Sequence, residues 1–190
     1  LARVIEQFGA RKPKERALVH HELAKLALAA KDRTTALTEL DTAAKIDPAN
    51  AAVLAMLGEV SLLEGQFLRA QRTYRALLLV LRSARAHDTK EAVAVHKTTV
   101  LVELAFIAEK QKESDRKAEF VESAFEAAGE SSEEFDALAE ALERRGYFDL
   151  FGRALEHDRS AQALRDEEAR DREDREDDHD RPATGLSTGP

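Results

Sequence analysis

The pattern of hydrophobic and polar positions repeats in two consecutive blocks of 34 residues, 17–50 and 51–84. Within each block, small and large apolar residues recur three or four positions apart, which is the spacing of one face of an α-helix. The residues that carry the pattern are Leu23, Ala24, Ala27, Ala36, Leu40 and Ala43 in the first block, and Leu54, Leu57, Gly58, Ala70 and Tyr74 in the second. Each block is therefore predicted to form a pair of helices.

Capping residues and an Asp-Pro pair set the predicted helix boundaries. In the first block we expect helices over about 15–30 and about 34–46, with Asp32 capping the second, because its carboxylate can accept from free backbone amides. Asp47-Pro48 ends that helix, since proline disfavours the α conformation of the residue before it. In the second block, Asn50 is expected to cap a helix over about 51–63, and another helix begins near Phe67.

The segment 85–97 falls outside the period, because the next block begins at Thr98. Asp88 followed by Glu91 is typical of a helix start. We therefore expect two lengthened helices, one reaching about Ala86 and the next beginning at about Thr89. Together they predict an extended helical hairpin at 85–97.

Two further blocks, 98–131 and 132–158, keep the same pattern with departures. Lys117 occupies a position that is small in the earlier blocks, so we expect either a looser contact there or a side chain that turns outward to solvent. The second helix of the last block is irregular, as is common where a terminal repeat meets solvent. The residues that keep the pattern are Leu101, Leu104, Ala105, Ala108, Val121 and Ala124, and then Phe135, Leu138, Ala139, Leu142, Gly146 and Leu155.

The repeated unit resembles the tetratricopeptide repeat (TPR) family, whose 34-residue unit is a helix-turn-helix with small residues where the helices touch. The resemblance implies an all-α fold, a right-handed α-solenoid of antiparallel helix pairs, over 17–158. Residues 1–16 are then expected to be the second helix of a preceding repeat. A charged helix extension and a disordered acidic tail are expected over 159–190, because 171–181 contains almost no apolar residue.

In the TPR family the first helices of successive repeats line a concave groove, and the resemblance implies one here. Carried over position by position, the groove residues are Leu18, His21, Lys25, Leu28, Ala52, Ala55, Glu59, Leu62, Leu63, Val102, Phe106, Glu109, Asp136 and Glu140, with Ala29, Thr99, Lys110, Glu133, Glu143 and Arg144 beside them. The middle of this surface is apolar and its C-terminal end is acidic. The expected partner is therefore a protein or peptide segment, amphipathic and partly basic. Alternatively, Leu62, Leu63 and Phe106 pack against their neighbours.

Composition and charge exclude several classes of protein. The net charge is −8, but 166–181 holds ten carboxylates against four arginines, so the repeats are nearly neutral and no nucleic-acid partner is expected. The chain contains no cysteine and no apolar run of about 18 residues, so neither thiolate chemistry nor membrane insertion is expected. The chain begins with Leu1 rather than Met, which suggests a fragment or a processed protein. A cytoplasmic location is favoured, although no residue pattern specifies a compartment.

The candidate chemical groups do not form an enzyme or metal site. His20-His21-Glu22 lacks a second histidine four residues later, so we interpret His20 as an imidazole packed between helices. Asp177-Asp178-His179-Asp180 is interpreted as solvated charge in the tail. The lysine and asparagine clamp of TPR domains that hold a peptide carboxylate is absent, since the matching positions are His21, Lys25, Met56, Thr99 and Glu103. We expect no catalytic residues, no metal and no cofactor.

The apolar run 76–81 leads to the alternative hypotheses. Leu79 and Val80 point away from the face formed by Tyr74, Leu77, Leu78 and Leu81, so they are covered either by Val93, Val95 and Val100 or by a second subunit. Cover within the chain is favoured, and a homodimer is the alternative. The preferred function is a non-catalytic interaction scaffold. The alternatives are self-association through Leu79, Val80 and the hairpin, or a regulatory interaction domain in a larger polypeptide.

Overall fold

The computed structural model describes residues 12–83, 95–156 and 159. These residues divide between two compact units, Leu1–Gly146 and Tyr147–Pro190. In the first unit the described residues form seven helices: α1 Pro13–Ala29, α2 Arg33–Ile46, α3 Ala51–Leu63, α4 Phe67–Arg82, α5 Lys97–Lys110, α6 Ser114–Ala128 and α7 Ser132–Arg145. In the second unit, 148–156 is helical. The predicted all-α fold is confirmed for this part of the chain, which contains no strand.

Each helix of the first unit packs against the next one along the chain. The pairs α1–α2, α3–α4 and α5–α6 match the predicted repeats, and α7 is the first helix of the fourth block. In addition, α5 packs directly against α7, so neighbouring first helices touch at this end. The first unit is a right-handed α-solenoid of helix pairs.

Two helices begin where the sequence predicted, and the expected side chains cap them. The carboxylate of Asp32 accepts from the backbone amide of Thr35 at 3.0 Å, and the side-chain oxygen of Asn50 accepts from the amide of Val53 at 3.1 Å. Each bond satisfies an amide that has no partner within the first helical turn. The start of α1 is two residues earlier than expected, at Pro13, because proline fits the first helical turn without losing a hydrogen bond.

The predicted lengthening of two helices is wrong. The helix α4 ends at Arg82 rather than Ala86, and α5 begins at Lys97 rather than Thr89. Ser83 is extended, with φ −87° and ψ 139°, and its hydroxyl donates to the backbone oxygen of Val80 at 2.8 Å. The repeat period reveals how many residues are inserted, but it does not specify their conformation. Residues 84–94, which include most of the predicted hairpin at 85–97, lie outside the described residues.

Two apolar clusters, which meet at α3, form the core between α1 and α5, and further buried apolar residues lie on α5, α6 and α7. The first joins α1, α2 and α3 through Ala17, Ala24, Ala36, Leu37, Leu40, Ala43, Val53, Leu57 and Val60. The second joins α3, α4 and α5 through Leu54, Ala70, Tyr74, Leu77, Val100, Leu104 and Ile107. Because α3 supplies residues to both clusters, each helix pair is stabilised by its neighbours, as in other helical repeats.

Gly58 is the small residue on which the contact between α3 and α4 depends. A Cβ atom at this position would lie 2.6 Å from Cε1 and 2.7 Å from Cζ of the Tyr74 ring. Tyr74 is buried, and burial raises the pKa of its phenol, with Glu103 and Glu59 adding to the effect. The repeat pattern therefore places a glycine where the aromatic ring approaches the backbone of α3.

The outer segments of the predicted domains are only partly described. Residues 1–11, most of the expected preceding helix, lie outside the described residues, and 13–16 belong to α1. The predicted tail and helix extension over 159–190 also lie outside, apart from residue 159, which is helical. The proposed boundaries of the four repeats stay a prediction.

Candidate functional site

A cleft of about 730 Å³ lies between the first helices of three successive repeats, α3, α5 and α7. The helix α7 supplies most of its lining, and α5 and the two residues before it form the rim. The lining residues are Ala55, Val95, His96, Thr99, Glu133, Asp136, Ala137, Glu140 and Arg144. This cleft is our candidate functional site.

The cleft includes only the C-terminal part of the groove predicted from the sequence. Among the groove positions, Ala55, Thr99, Glu133, Asp136, Glu140 and Arg144 line it. Other predicted residues lie elsewhere on the first helices: Leu18, Lys25, Glu59, Leu63 and Glu109 are exposed, whereas Leu28, Ala52, Leu62 and Phe106 are half-buried. The sequence did not predict the contributions of Val95, His96 and Ala137.

Two of the predicted groove residues, His21 and Val102, are buried and unavailable to a partner. Burial lowers the pKa of His21 because it disfavours the imidazolium, and Lys25 lowers it further. Val102 is enclosed because α5 packs against both α6 and α7. The positions carried over from the TPR family are exposed only where the first helix of a repeat faces solvent. At His21 in α1 and Val102 in α5, neighbouring helices cover these positions.

The exposed face of α7 carries a row of four carboxylates, and the first three line one wall of the cleft. Glu133, Asp136, Glu140 and Glu143 follow one another at intervals of three, four and three residues, and all four are exposed. Side chains with this spacing share one face of a helix. Glu140 pairs with Arg144 at 3.4 Å, while Glu133 and Asp136 form no ion pair with any described residue. The wall therefore presents negative charge to the cleft.

Phe106, expected either to face the groove or to pack against its neighbours, lies beneath two cations. The guanidinium carbon of Arg145 is 4.1 Å from the ring centroid, and the Lys110 ammonium is 5.0 Å from it. Arg145 also donates from Nε to the Glu103 carboxylate at 3.1 Å, and that side chain is 5% exposed. The sequence signal for this pair was Glu103 itself, a single carboxylate within the apolar stretch 100–108. The pair of Glu103 and Arg145 links α5 to α7 beside the cleft.

Glu134 joins the same two helices at the rim. Its carboxylate accepts from the backbone amides of Lys97 at 3.1 Å and Thr98 at 3.0 Å, and from the Thr98 hydroxyl at 2.8 Å. The residue before α5, His96, forms no side-chain cap, and its Nδ1 lies 3.6 Å from Glu134. A side chain of α7 thus caps α5, because a carboxylate is favourable at a helix N-terminus. This bond fixes the position of the cleft rim.

The two residues predicted for self-association have different environments. Val80 packs against the second core cluster together with Val95, as expected for cover within the chain. Leu79 is 68% exposed. The prediction of cover within the chain is therefore confirmed for Val80 and wrong for Leu79, which points outward from α4.

His20 occupies a packed position between α1 and α2. Its Nδ1 lies 2.6 Å from Oε2 of Glu39, and its side chain is mostly enclosed. Over residues 12–83 and 95–156, no group of three or more His, Cys, Asp or Glu side chains is arranged to hold a metal ion. In the same part of the chain, no helix is long and apolar enough to cross a membrane.

Comparison with known proteins identifies the fold. No family model matches the chain, and no curated protein matches it. A crystal structure of MamA superimposes with a TM-score of 0.50 at 14% identity, covering 88% of each chain. The fold is that of a helical repeat solenoid. A second MamA structure covers 92% of this chain and 98% of its own at 15% identity, with a TM-score of 0.30. The superposition at a TM-score of 0.50 confirms the predicted helical repeat fold, and TPR family membership stays a prediction.

Proposed function

We propose that this protein is a non-catalytic interaction scaffold whose cleft between α3, α5 and α7 binds a segment of another polypeptide. The observation that carries the proposal is the cleft itself, which lies on the first helices of three successive repeats and has a carboxylate-bearing wall. Solenoids commonly use such inner surfaces to bind extended or helical partners.

The size of the cleft favours a segment that inserts a few side chains. Its volume of about 730 Å³ is comparable to that of small-ligand sites, but the cleft is open to solvent. A whole helix, with a diameter of about 10–12 Å including side chains, is too wide to be enclosed over several turns. The partner segment therefore lies along the cleft and places one row of side chains inside it.

The lining favours a partner that is amphipathic and partly basic. Ala55, Val95 and Ala137 provide apolar surface, and Glu133 and Asp136 offer carboxylates without an ion-pair partner among the described residues. A lysine or arginine brought to these carboxylates gains a charge-assisted hydrogen bond. Opposite charge also accelerates association and selects against acidic segments.

Selection from a displayed library of random peptides tests the proposal. The wild-type chain is expected to enrich peptides that combine lysine or arginine with apolar residues. The double variant Glu133→Arg with Asp136→Arg should bind the selected peptides at least about tenfold more weakly, because like charges then meet. The matched control is Asp115→Arg with Glu119→Arg on α6, which makes the same change of charge at exposed positions away from the cleft.

The control should retain the affinity of the wild type within a factor of about two, because its changes reach the cleft only through screened long-range charge. Enrichment of no peptide, or of peptides without basic residues, would contradict the proposal. An equal loss of binding in the α6 control would contradict it as well, since the effect would then depend on net charge rather than on the cleft.

A further inference from the structure

One face of α4 carries a straight row of exposed side chains that nothing in the described structure covers. Leu68, Arg72, Arg75, Leu79 and Arg82, here called the α4 ridge, follow at intervals of four, three, four and three residues. Leu68 is 65% and Leu79 68% exposed. A mean spacing of 3.5 residues is the spacing by which one helix lies along another. The ridge extends over the helix for about 21 Å.

The charge of the ridge is unbalanced. The helix α4 contains no carboxylate, and Arg72, Arg75 and Arg82 form no ion pair with any described residue. By contrast, Arg69 of the same helix pairs with Asp41 of α2 at 2.5 Å. Single exposed leucines are common on protein surfaces, but here two of them alternate with solvated arginines in one line. A complementary surface would be acidic and would have the same spacing.

That complementary surface is present on the same chain. Residues 72, 75, 79 and 82 of the ridge are separated by three, four and three positions, and so are Glu133, Asp136, Glu140 and Glu143 of α7. The first row is cationic with one leucine, and the second is entirely anionic. The two rows therefore agree in length and interval and are opposite in charge, except at Leu79.

We infer that the partner of the α4 ridge is a second copy of this chain. The ridge of one copy docks along the acidic wall that α7 forms in the other copy. This inference rests on the proposed function, because it makes the cleft beside α7 the receiving surface. The ridge and the wall are different surfaces of one molecule, so the contact is heterologous and joins copies head to tail. On docking the arginines meet carboxylates, and this pairing of opposite charges provides the attraction.

Sedimentation equilibrium of the full chain at low and high salt tests the inference. The wild type is expected to self-associate reversibly, and to do so more weakly at about 1 M salt, where screening is strong. Arg72→Glu with Arg75→Glu makes both surfaces acidic, and Glu133→Arg with Asp136→Arg removes the net negative charge of the wall while the ridge stays basic. Each double variant alone should associate at least about tenfold more weakly than the wild type.

A mixture of the two double variants provides the decisive arm. The variant with Glu133→Arg and Asp136→Arg keeps its ridge, and the variant with Arg72→Glu and Arg75→Glu keeps its wall. The ridge of the first therefore still fits the wall of the second. Two chains that are separately monomeric should therefore associate when mixed. Lys14→Glu with Lys45→Glu, at exposed positions on α1 and α2, is the matched control and should self-associate as the wild type does.

Several outcomes would overturn the inference, and they are separable from failure of the proposed function. A wild type that stays monomeric, an α4 variant that associates normally, or a mixture that fails to associate would each contradict it. Binding of the monomeric wild type to phosphatidylserine vesicles through the ridge would instead identify a lipid as the occupant. If library peptides still bind the cleft in any of these cases, the proposed function stands without the inference.

Discussion

Helices α1 to α4 meet through apolar clusters, whereas α5 and α7 are joined by enclosed polar groups in addition to their buried apolar residues. In the first region, ion pairs between repeats, such as Arg33–Glu64 at 3.1 Å, lie at the surface. In the second, Glu103 is buried beneath Arg145, and Thr98 is fully buried against Glu134. Apolar contacts depend mainly on volume, while hydrogen bonds also require direction. One region should therefore be sensitive to side-chain size, and the other to loss of a single partner.

The largest effect is expected from Gly58→Leu in the apolar region. The new side chain overlaps the Tyr74 ring, which is buried and has no room to move. We expect a loss of about 3 kcal/mol in the free energy of unfolding, at the upper end of the usual cost of overpacking. Chemical denaturation measures it.

Gly152→Ala is the control for the glycine experiment, since an added Cβ there meets nothing within 4 Å. Its expected effect is neutral or slightly stabilising, because alanine has the higher helix propensity. Equal stability of Gly58→Leu and the wild type would show that α3 and α4 do not approach as closely as the structure has them.

In the polar region, Arg145→Leu should have the next largest effect. It leaves the buried Glu103 carboxylate without its partner. The loss should be about 2 kcal/mol, below the roughly 3–5 kcal/mol of fully buried pairs because the Arg145 side chain is 24% exposed. The double variant with Glu103→Leu should be more stable than Arg145→Leu alone. A double-mutant cycle by denaturation that gives simple additivity would refute the coupling.

Glu134→Ala should cost about 1–2 kcal/mol, comparable to the loss of a helix cap. Amide hydrogen exchange at Lys97 and Thr98 should accelerate, because both amides lose their acceptor. Glu134→Gln keeps one acceptor oxygen, so its effect should be smaller. Unchanged exchange at both amides in the alanine variant would show that this carboxylate does not cap α5.

The smallest effect is expected from Lys117→Ala. Its ammonium pairs with Glu109, and its side chain remains partly exposed, as predicted for an outward lysine. Pairs of this kind contribute little, so the change in unfolding free energy should stay within about 0.5 kcal/mol. Thermal melting measures it, and a shift as large as that of Arg145→Leu would remove the distinction between surface and buried pairs.

The sequence predicted most of the fold because local signals agreed with the period. Asp32 and Asn50 placed two helix starts, and Gly58 marked the approach of Tyr74. The inserted segment was the exception: Asp88 and Glu91 suggested a helix start, but α5 begins later, after Val95 and His96, which are not helical. Local sequence patterns for capping do not reveal whether tertiary contacts will continue the helix.

The candidate site could be predicted in part. Family offsets located Asp136 and Glu140 on the cleft, because these positions depend only on the helical face. The burial of His21 and Val102 and the pairing of Glu103 with Arg145 depend on how closely neighbouring helices pack. That packing is a property of several repeats together, and no single block of sequence contains it.

The cap that Glu134 supplies to α5 also has a consequence for the order of events during protein synthesis. The acceptor lies 37 residues after the Lys97 amide that it satisfies. A ribosome therefore completes α5 and α6 before the residue that secures the start of α5 has been made. Until then, the first turn of α5 remains open to water, so this end of the molecule matures only when the last part of the solenoid has emerged.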